Sequence, residues 1–469
     1  MNLLTAAQIR EWDRYTIQQE PVTSVDLMER AATACTRWLL SFTGAGVPYS
    51  IFCGKGNNGG DGLAIARQLI QQGIQAEVFI LEFGKMGTAD FQANLQRLHE
   101  LPVDLHYIQS AEQLPPIEPG TVILDALFGS GLQRPLEGLA AILVDHLNQA
   151  PGTRVAIDVP SGLFLEQSSR GNTVFRAAHT LTFQIQKMAF LLAENAPYTG
   201  RVHVLDIGLH SSFLPNPLPS RFLVTPEFVR SLFRTRELHA HKGHFGHALI
   251  VAGRKGMIGA ALMAARACAR SGAGLVTALV PECGYAILQS GLPEAMVLTG
   301  GPDRLEHTPD HLERFTAMGI GPGLGTDPET VAFVGNLLTS ARGPVVLDAD
   351  ALNALAHSPG LWAAVPPLSL LTPHPGEFRR LAGESADDFA RLQQAAELAA
   401  QRNVIIILKG HHTAILLPDG RRYFNATGNP GMAKGGSGDV LTGMLTALLA
   451  QGYPPDQAAL LGVYLHGLA

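Results

Sequence analysis

Two periodicities alternate along this chain. Short aliphatic or β-branched runs of strand length fall at 49–53, 77–81, 122–125, 154–158, 180–183 and 202–206. Between them lie helical patterns, clearest over 60–72, where Leu63, Ile65, Ala66, Leu69 and Ile70 share one face. The rhythm breaks at 211–220, where three prolines in SSFLPNPLPS predict a semi-rigid linker. It then restarts with a strand at 247–252, a helix over 259–271 and strands at 275–280, 345–348, 405–409 and 414–417. A glycine-rich segment leads into a last strong helix over 439–450. Alternation of this kind predicts α/β architecture: mostly parallel sheets covered on both faces. The halves share no repeat, so two different folds are expected, one over 1–215 and one over 222–469.

Composition narrows the class. Of 469 residues 46% are hydrophobic and 16% charged, which excludes a disordered chain. The formal charge is −6 with no basic stripe, so nucleic acid is not an expected partner. Cys35, Cys53, Cys268 and Cys283 have no CxxC spacing, which fits a reducing cytoplasm and argues against a zinc ribbon. The start, MNLLTAAQIREWD, lacks a basic leader, and no run approaches the ~20 apolar residues of a membrane span. The chain stops within an apolar helical pattern, LHGLA, without a stop signal, so a shortened last helical layer is expected.

The candidate chemistry of the first half begins at GKGNNGGDG (54–62), between a strand and a helix. Backbone N–H groups at such a helix start attract phosphate. The string contains G-x-G-x-x-G, and Glu82 ends the next strand, so a redox dinucleotide fold is one reading. Asn57, Asn58 and Asp61 add side-chain polarity that a plain pyrophosphate turn does not need. Two further strand ends carry oxygens, Asp125 in LDALFGSGL and Asp158 with Ser161 in IDVPSG. Ligands collect at the carboxyl ends of strands in open α/β sheets. Asn58, Asp125 and Ser161 form an all-oxygen set suited to a hard cation and not to zinc.

In the second half NPGMAKGGSGD (429–439) presents the N–H groups of Gly435–Gly438 to an anion, with Asp439 at the helix start. A carboxylate in an anion hole makes sense when it takes the proton of a hydroxyl that attacks a phosphoryl group. No Walker-type string is present, which excludes a P-loop NTPase. His239, His241, His244 and His247 are spaced closely enough for a metal site, but they lie in a loop running into a strand, which disfavours one.

With these strings in place, the first half resembles the NAD(P)HX epimerases, the YjeF N-terminal domains. The resemblance implies a Rossmann-like three-layer fold in which Asn57, Asn58, Gly59, Gly60 and Asp61, with Gly129, Ser130, Gly131, Leu132, Gln133, Arg134 and Pro135, bind the hydrated nucleotide. It also implies Asn58, Asp125 and Ser161 as ligands of K⁺, and Asp158 as substrate-binding and catalytic. It implies Lys187 as a further catalytic residue; the family has Pro-Lys there, and this chain has Gln186-Lys187.

The second half is similar to the ribokinase superfamily, whose signature is Gly-x-Gly-Asp. The strings KGHFGH, GIGPGLG, VVLDADALN, TPHPGE and KGHHT narrow the resemblance to the ADP/ATP-dependent NAD(P)HX dehydratases. That resemblance implies Ala260, Gly323 and His374 against the hydrated nicotinamide nucleotide. It places Lys409, Gly410, His411, His412, Thr413 and Gly438 against the adenine nucleotide, and makes Asp439 the substrate-contacting base. A bifunctional repair enzyme for hydrated NADH and NADPH follows, with ADP as co-substrate, Mg²⁺ on the nucleotide and a homo-oligomeric cytoplasmic state expected. Three rivals remain: a small-molecule kinase in the second half, a redox domain in the first, or a first half that only binds.

Overall fold

A computed structural model describes residues 1–44 and 46–469. They divide into two units, Asn2–Pro219 and Ser220–Ala469, the second also counting Met1. The first unit contains, in chain order, α1 (Ala6–Gln19), α2 (Ser24–Thr43), β1 (Tyr49–Cys53), α3 (Asn57–Gln71), β2 (Ala76–Leu81), α4 (Ala89–His99), β3 (Leu105–Ile108), β4 (Val122–Ala126), α5 (Gly138–Gln149), β5 (Thr153–Ile157), β6 (His179–Phe183), α6 (Ala196–Thr199) and β7 (Arg201–Leu205). Its seven strands are all parallel in the order β3-β2-β1-β4-β5-β6-β7. The chain reverses its direction of travel across the sheet between β1 and β4, which places a crevice beyond their carboxyl ends. Successive strand residues face opposite sides: Ile51, Ile80 and Leu124 pack with α2 and α3 residues such as Leu39 and Leu63. Phe52, Phe79 and Ile123 pack with Leu143 and Leu147 of α5. The result is a three-layer α/β/α stack.

The second unit contains β8 (Arg221–Leu223), α7 (Pro226–Leu232), β9 (His247–Val251), α8 (Ile258–Arg270), β10 (Leu275–Val280), α9 (Tyr285–Gly291), β11 (Met296–Thr299), β12 (Ala317–Ile320), α10 (Pro328–Ser340), β13 (Val345–Leu347), α11 (Ala349–His357), β14 (Leu370–Leu371), α12 (Pro375–Ala382), α13 (Asp388–Arg402), β15 (Ile405–Leu408), β16 (Thr413–Leu416), β17 (Arg422–Asn425), α14 (Ser437–Ala450) and α15 (Pro455–Leu468). The sheet order is β11-β10-β9-β12-β13-β14-β15-β16-β17-β8. It is parallel from β11 to β15, and the hairpin partners β16 and β17 run antiparallel. Helix α14 packs Leu441, Leu445 and Leu448 into the main core with Ala261, Ala264 and Cys268 of α8.

Three differences from the sequence reading bear on the site. The expected strand 154–158 ends one residue early, because Asp158 takes a left-handed φ of 61° that no strand accommodates. Helix α3 starts at Asn57 and not near 60, so Asn57–Asp61 are its first turn instead of a preceding loop. Helix α14 likewise starts at Ser437, after Gly436 in the left-handed region (φ 91°), and Asp439 sits within its first turn. Among the described residues no helix is long and apolar enough to cross a membrane.

Candidate functional sites

In the first unit a cavity of about 630 Å³ opens beyond the β1/β4 switch. Glycines determine how its floor is built. A Cβ on Gly54 would lie 1.9 Å from the Leu127 carbonyl oxygen, and one on Gly59 would lie 1.7 Å from the Gly54 carbonyl oxygen. Only bare backbone lets the β1–α3 turn pass this close to the β4 loop. The cavity wall takes Asn57, Asn58, Asp61, Gly129, Ser130, Gly131, Leu132, Asp158 and Lys187. Gly59 and Gly60 are buried behind that wall, while Gln133, Arg134 and Pro135 are exposed and outside it.

Asp158 and Lys187 are joined directly. The Lys187 ammonium, only 2% exposed, donates to Asp158 Oδ1 at 2.9 Å, to Thr182 Oγ1 at 2.6 Å and to the Phe183 carbonyl at 3.0 Å. Thr182 Oγ1 also donates to Asp158 Oδ1 at 3.2 Å. The Gln186 replacement therefore leaves Lys187 fully seated. Gln184, at φ 62°, makes the bend, and its side-chain oxygen accepts from the Ile207 and Leu209 N–H groups.

Asp125 and Ser161 form a second buried group. Asp125 Oδ1 accepts from Ser161 Oγ at 2.6 Å and Leu127 N–H at 3.1 Å, and Oδ2 accepts from Ser161 N–H at 2.8 Å. Ser161 Oγ accepts from Phe128 N–H at 2.9 Å. The next residue, Gly129, borders Asn58, whose amide oxygen and nitrogen are buried without any hydrogen-bond partner. An orphaned amide oxygen close to a buried carboxylate that lacks a cationic partner fits a monovalent cation. Burial pushes the Asp125 carboxyl up from 3.8 to about 6, against the pull of its three hydrogen bonds. The sign is that of a raised acid: ionisation in the fold carries no penalty below 3.8 and the full penalty above about 6, on the order of 3 kcal/mol at neutral pH. A cation held there would offset that penalty. Replacing K⁺ by tetramethylammonium near neutral pH is expected to lower the melting temperature of the first unit, by roughly 2–4 °C per kcal/mol of lost binding. Asn58→Leu should erase the difference. Equal melting in both salts in the unsubstituted protein would remove the cation assignment.

Glu82, the residue that kept a redox reading open, accepts hydrogen bonds from the Lys55 ammonium and from Gly84 N–H at 2.7 Å. Its carboxylate is occupied by the protein itself. The sequence reading missed helix α1, which contributes Ile9, Arg10, Trp12, Asp13, Arg14 and Ile17 to the cavity. The available signal was a polar Asp13 between Ile9 and Ile17 at four-residue spacing on one helix face.

In the second unit the centre is Asp348, 1% exposed at the end of β13. Its Oδ1 accepts from Lys409 Nζ at 2.9 Å and from Ala349 N–H at 2.9 Å, and its Oδ2 accepts from Thr442 Oγ1 at 2.9 Å. Glu377 Oε2 lies 3.8 Å from Lys409 Nζ and caps α12 by accepting from His374 N–H at 2.9 Å. His374 Nδ1 accepts from the Gly376 and Glu377 N–H groups, leaving Nε2 for a ligand or for Glu377 Oε1 at 3.5 Å. A Cβ on Gly438 would lie 3.4 Å from both Asp348 Oδ2 and Lys409 Nζ, so the α14 start rests directly on this pair. Burial raises the Asp439 carboxyl above its ordinary range, Asp348 adds to the rise, and Lys409 opposes it. Gly323, at φ 64°, would place a Cβ 3.1 Å from Met257 and 3.3 Å from the Ala260 Cβ, which brings those two predicted positions together. Gly410–Thr413 form the turn into β16, where Thr413 Oγ1 donates to the Gly410 carbonyl at 3.2 Å and the His411 and His412 rings meet edge to face.

Asp348, Thr442 and His466 were not singled out as site residues. Asp348 lay inside a quoted string, whereas His466 reaches Ser437 from the last helix (Nε2···Oγ 3.4 Å), a pairing no local spacing shows. In the histidine run His241 and His244 stack at 3.9 Å, while His247 is hydrogen-bonded to Thr277 at 2.7 Å. Among the described residues no cluster of three or more His, Cys, Asp or Glu side chains could hold a metal ion.

An acid held at a glycine-built helix start beside a buried Lys–carboxylate pair, and a separate Asp–Lys centre at an α/β switch point, define a two-domain α/β enzyme, Rossmann-like then ribokinase-like. Residues 24–189 match the family described as YjeF-related protein N-terminus, and residues 248–469 that described as NAD(P)H-hydrate dehydratase. The bifunctional NAD(P)H-hydrate repair enzyme Nnr of Moorella thermoacetica is 38% identical over 100% of this chain and 92% of its own length. That of Escherichia coli is 34% identical over 99% of this chain and 88% of its own length. The ADP/ATP-dependent NAD(P)H-hydrate dehydratase of Bacillus subtilis, co-crystallised with ATP/Mg²⁺, is 37% identical over 52% of this chain and 87% of that chain, with a TM-score of 0.44. The chain belongs to the family of bifunctional NAD(P)H-hydrate repair enzymes.

Proposed function

We propose that this enzyme interconverts the R and S forms of hydrated NADH and NADPH in its first unit. In its second it dehydrates the S form at the expense of ADP, releasing AMP and phosphate. The observation that carries the reading is the presence, in one chain, of two chemically separate carboxylate centres, Asp158 with Lys187 on the cavity that the α3 start also lines and Asp439 in the first turn of α14.

Hydration places a hydroxyl on C6 of the nicotinamide ring. In the second unit Asp439 accepts the proton of that hydroxyl, whose oxygen attacks the terminal phosphoryl group of ADP. The bond to AMP breaks, and the N–H groups at the start of α14 receive the charge on the transferred phosphoryl. Phosphate then leaves C6 with its electron pair, helped by the ring nitrogen lone pair, and loss of a C5 proton restores NADH or NADPH. Ala260, Gly323 and His374 position the nicotinamide half, and Lys409–Thr413 with Gly438 the adenine nucleotide. The Asp348 oxygens are already taken by Lys409, Ala349 and Thr442. Among the described residues no cluster of three or more His, Cys, Asp or Glu side chains would cage Mg²⁺, which we assign to the phosphates and water.

In the first unit the nucleotide lies along Asn57–Asp61 and Gly129–Leu132, and Asp158, paired with Lys187, moves the proton at the C6 oxygen. Asn58, Asp125 and Ser161 would hold K⁺, which would supply fixed positive charge to the site. We further propose a cytoplasmic homo-oligomer.

The test is to mix both epimers of hydrated NADH with the protein, ADP, Mg²⁺ and K⁺, and to follow NADH absorbance. Recovery beyond the S share supports both activities. Recovery of the S share alone leaves a dehydratase with a binding first unit. A stable phosphorylated product would replace the dehydratase reading with a kinase.

A further inference from the structure

The epimerase cavity holds more acid than the mechanism above uses. Asp13 sits on α1, a wall distinct from the strand ends, midway along a face whose neighbours Ile9 and Ile17 also line the cavity. Among the described residues its carboxylate has no hydrogen-bond or ion-pair partner, in contrast to Asp158, which is bound by Lys187 and Thr182. Asp61, 8% exposed on the same cavity, also has no hydrogen-bond or ion-pair partner among the described residues. The helix carrying Asp13 is fixed in place: Trp12 Nε1 donates to the His210 carbonyl at 2.9 Å, and Thr16 Oγ1 accepts from His210 N–H at 3.0 Å.

We infer that Asp13 is a second catalytic residue of the epimerase, the acid that works opposite Asp158 on the C6 oxygen of the hydrated nicotinamide. The inference rests on the epimerase reading of the first unit. When C6 inverts through loss and return of water, the hydroxyl leaves one face and water adds to the other, so two proton-handling groups from different walls suit the task. Protonated Asp13 gives its proton to the C6 hydroxyl. The C6–O bond breaks, its electron pair leaves with water, and the N1 lone pair forms the N1=C6 iminium. Water then adds to the opposite face, the iminium π pair returns to N1, and Asp158 takes the proton of the incoming water. The proton passes back to Asp13 through cavity water, and the reverse reaction exchanges the two roles.

The electrostatic setting agrees with this division. Burial pushes the Asp13 carboxyl up to about 6, the charge of Asp158 adds to the rise, and Lys187 and Arg10 oppose it. Asp61, whose carboxyl is pushed up by burial and by Asp158, Asp13 and Asp90, also faces this group.

The experiment uses the full chain without ADP, so the second unit is silent, and follows S-to-R conversion of hydrated NADH in oxygen-18-labelled water. Asp13→Asn is expected to slow epimerisation at least about 100-fold with nucleotide binding kept, and with ADP-dependent dehydration of the S form unchanged. Wild-type epimerisation should carry the label into C6 at each turnover, and its rate should fall as pH rises past about 6. Asp13→Glu should retain measurable conversion with that limb displaced. Wild-type epimerisation with Asp13→Asn close behind, unlabelled product, or an absent alkaline limb would each overturn the role of Asp13. If Asp13→Asn does not fold, the label and the wild-type pH profile still decide. Absence of epimerisation in the wild type would instead reject the epimerase reading itself.

Discussion

Asp439→Asn is expected to reduce ADP-dependent dehydration by at least about 10³-fold while epimerisation proceeds at the wild-type rate. The substituted amide keeps the size and shape of the carboxylate, but it cannot take a proton from the C6 hydroxyl. Asp439 sits in that turn with Asp348 and Lys409 close by, and burial already biases it toward the protonated form. The wild-type dehydration rate should therefore rise with pH on an acid limb displaced above the ordinary carboxylate range, because only the ionised carboxylate is the base. Dehydration retained in Asp439→Asn, or an acid limb at the unperturbed carboxylate position, would assign the proton transfer to another group. Epimerisation measured in the same tube reports that the first unit is folded, and retained ADP binding reports that the second is.

The second large effect is expected from Lys187→Met. The ammonium is almost wholly buried and holds Asp158 Oδ1 at 2.9 Å. Its removal leaves a carboxylate without its cation, a loss of about 3–5 kcal/mol for a buried pair broken on one side. Epimerisation should vanish together with much of the first unit's stability. Asp158→Asn combined with Lys187→Met removes both charges, so the double variant should melt higher than Lys187→Met alone and still show no epimerisation. A single variant as stable as the wild type would mean that water reaches Asp158 and that the pair is not closed. Full epimerisation in the double variant would displace both residues from the chemistry.

Much of each centre was legible because its residues lie in short strings at strand ends. Asp125, Asp158 and Ser161 end neighbouring strands β4 and β5, and a parallel sheet necessarily brings such ends to one edge. The same logic places Asp439 at a helix start. Helix α1 was not legible in this way. Its contribution depends on a helix remote from the strand ends in sequence folding over the sheet's edge, and Asp13 reads locally as one polar residue in an amphipathic stripe. His466 was hidden for the same reason, since it meets Ser437 across 29 positions. Gln186 shows the converse: a departure from the family string leaves Lys187 in place, because three acceptors from β6 and the Asp158 turn hold its ammonium.

The turn at Gly54 and Gly59 also bears on how relatives of this chain should be read. Both positions are forced by volume, since any side chain would overlap a carbonyl oxygen less than 2 Å away. Drift at these sites is barred in any descendant that still folds, whether or not it still turns over substrate. The glycine string is thus a certificate of architecture, persisting in a copy whose catalysis has been discarded. Asp158 and Lys187 are under no such steric compulsion, so their joint loss beneath an intact glycine string is the mark by which a retired epimerase would be recognised.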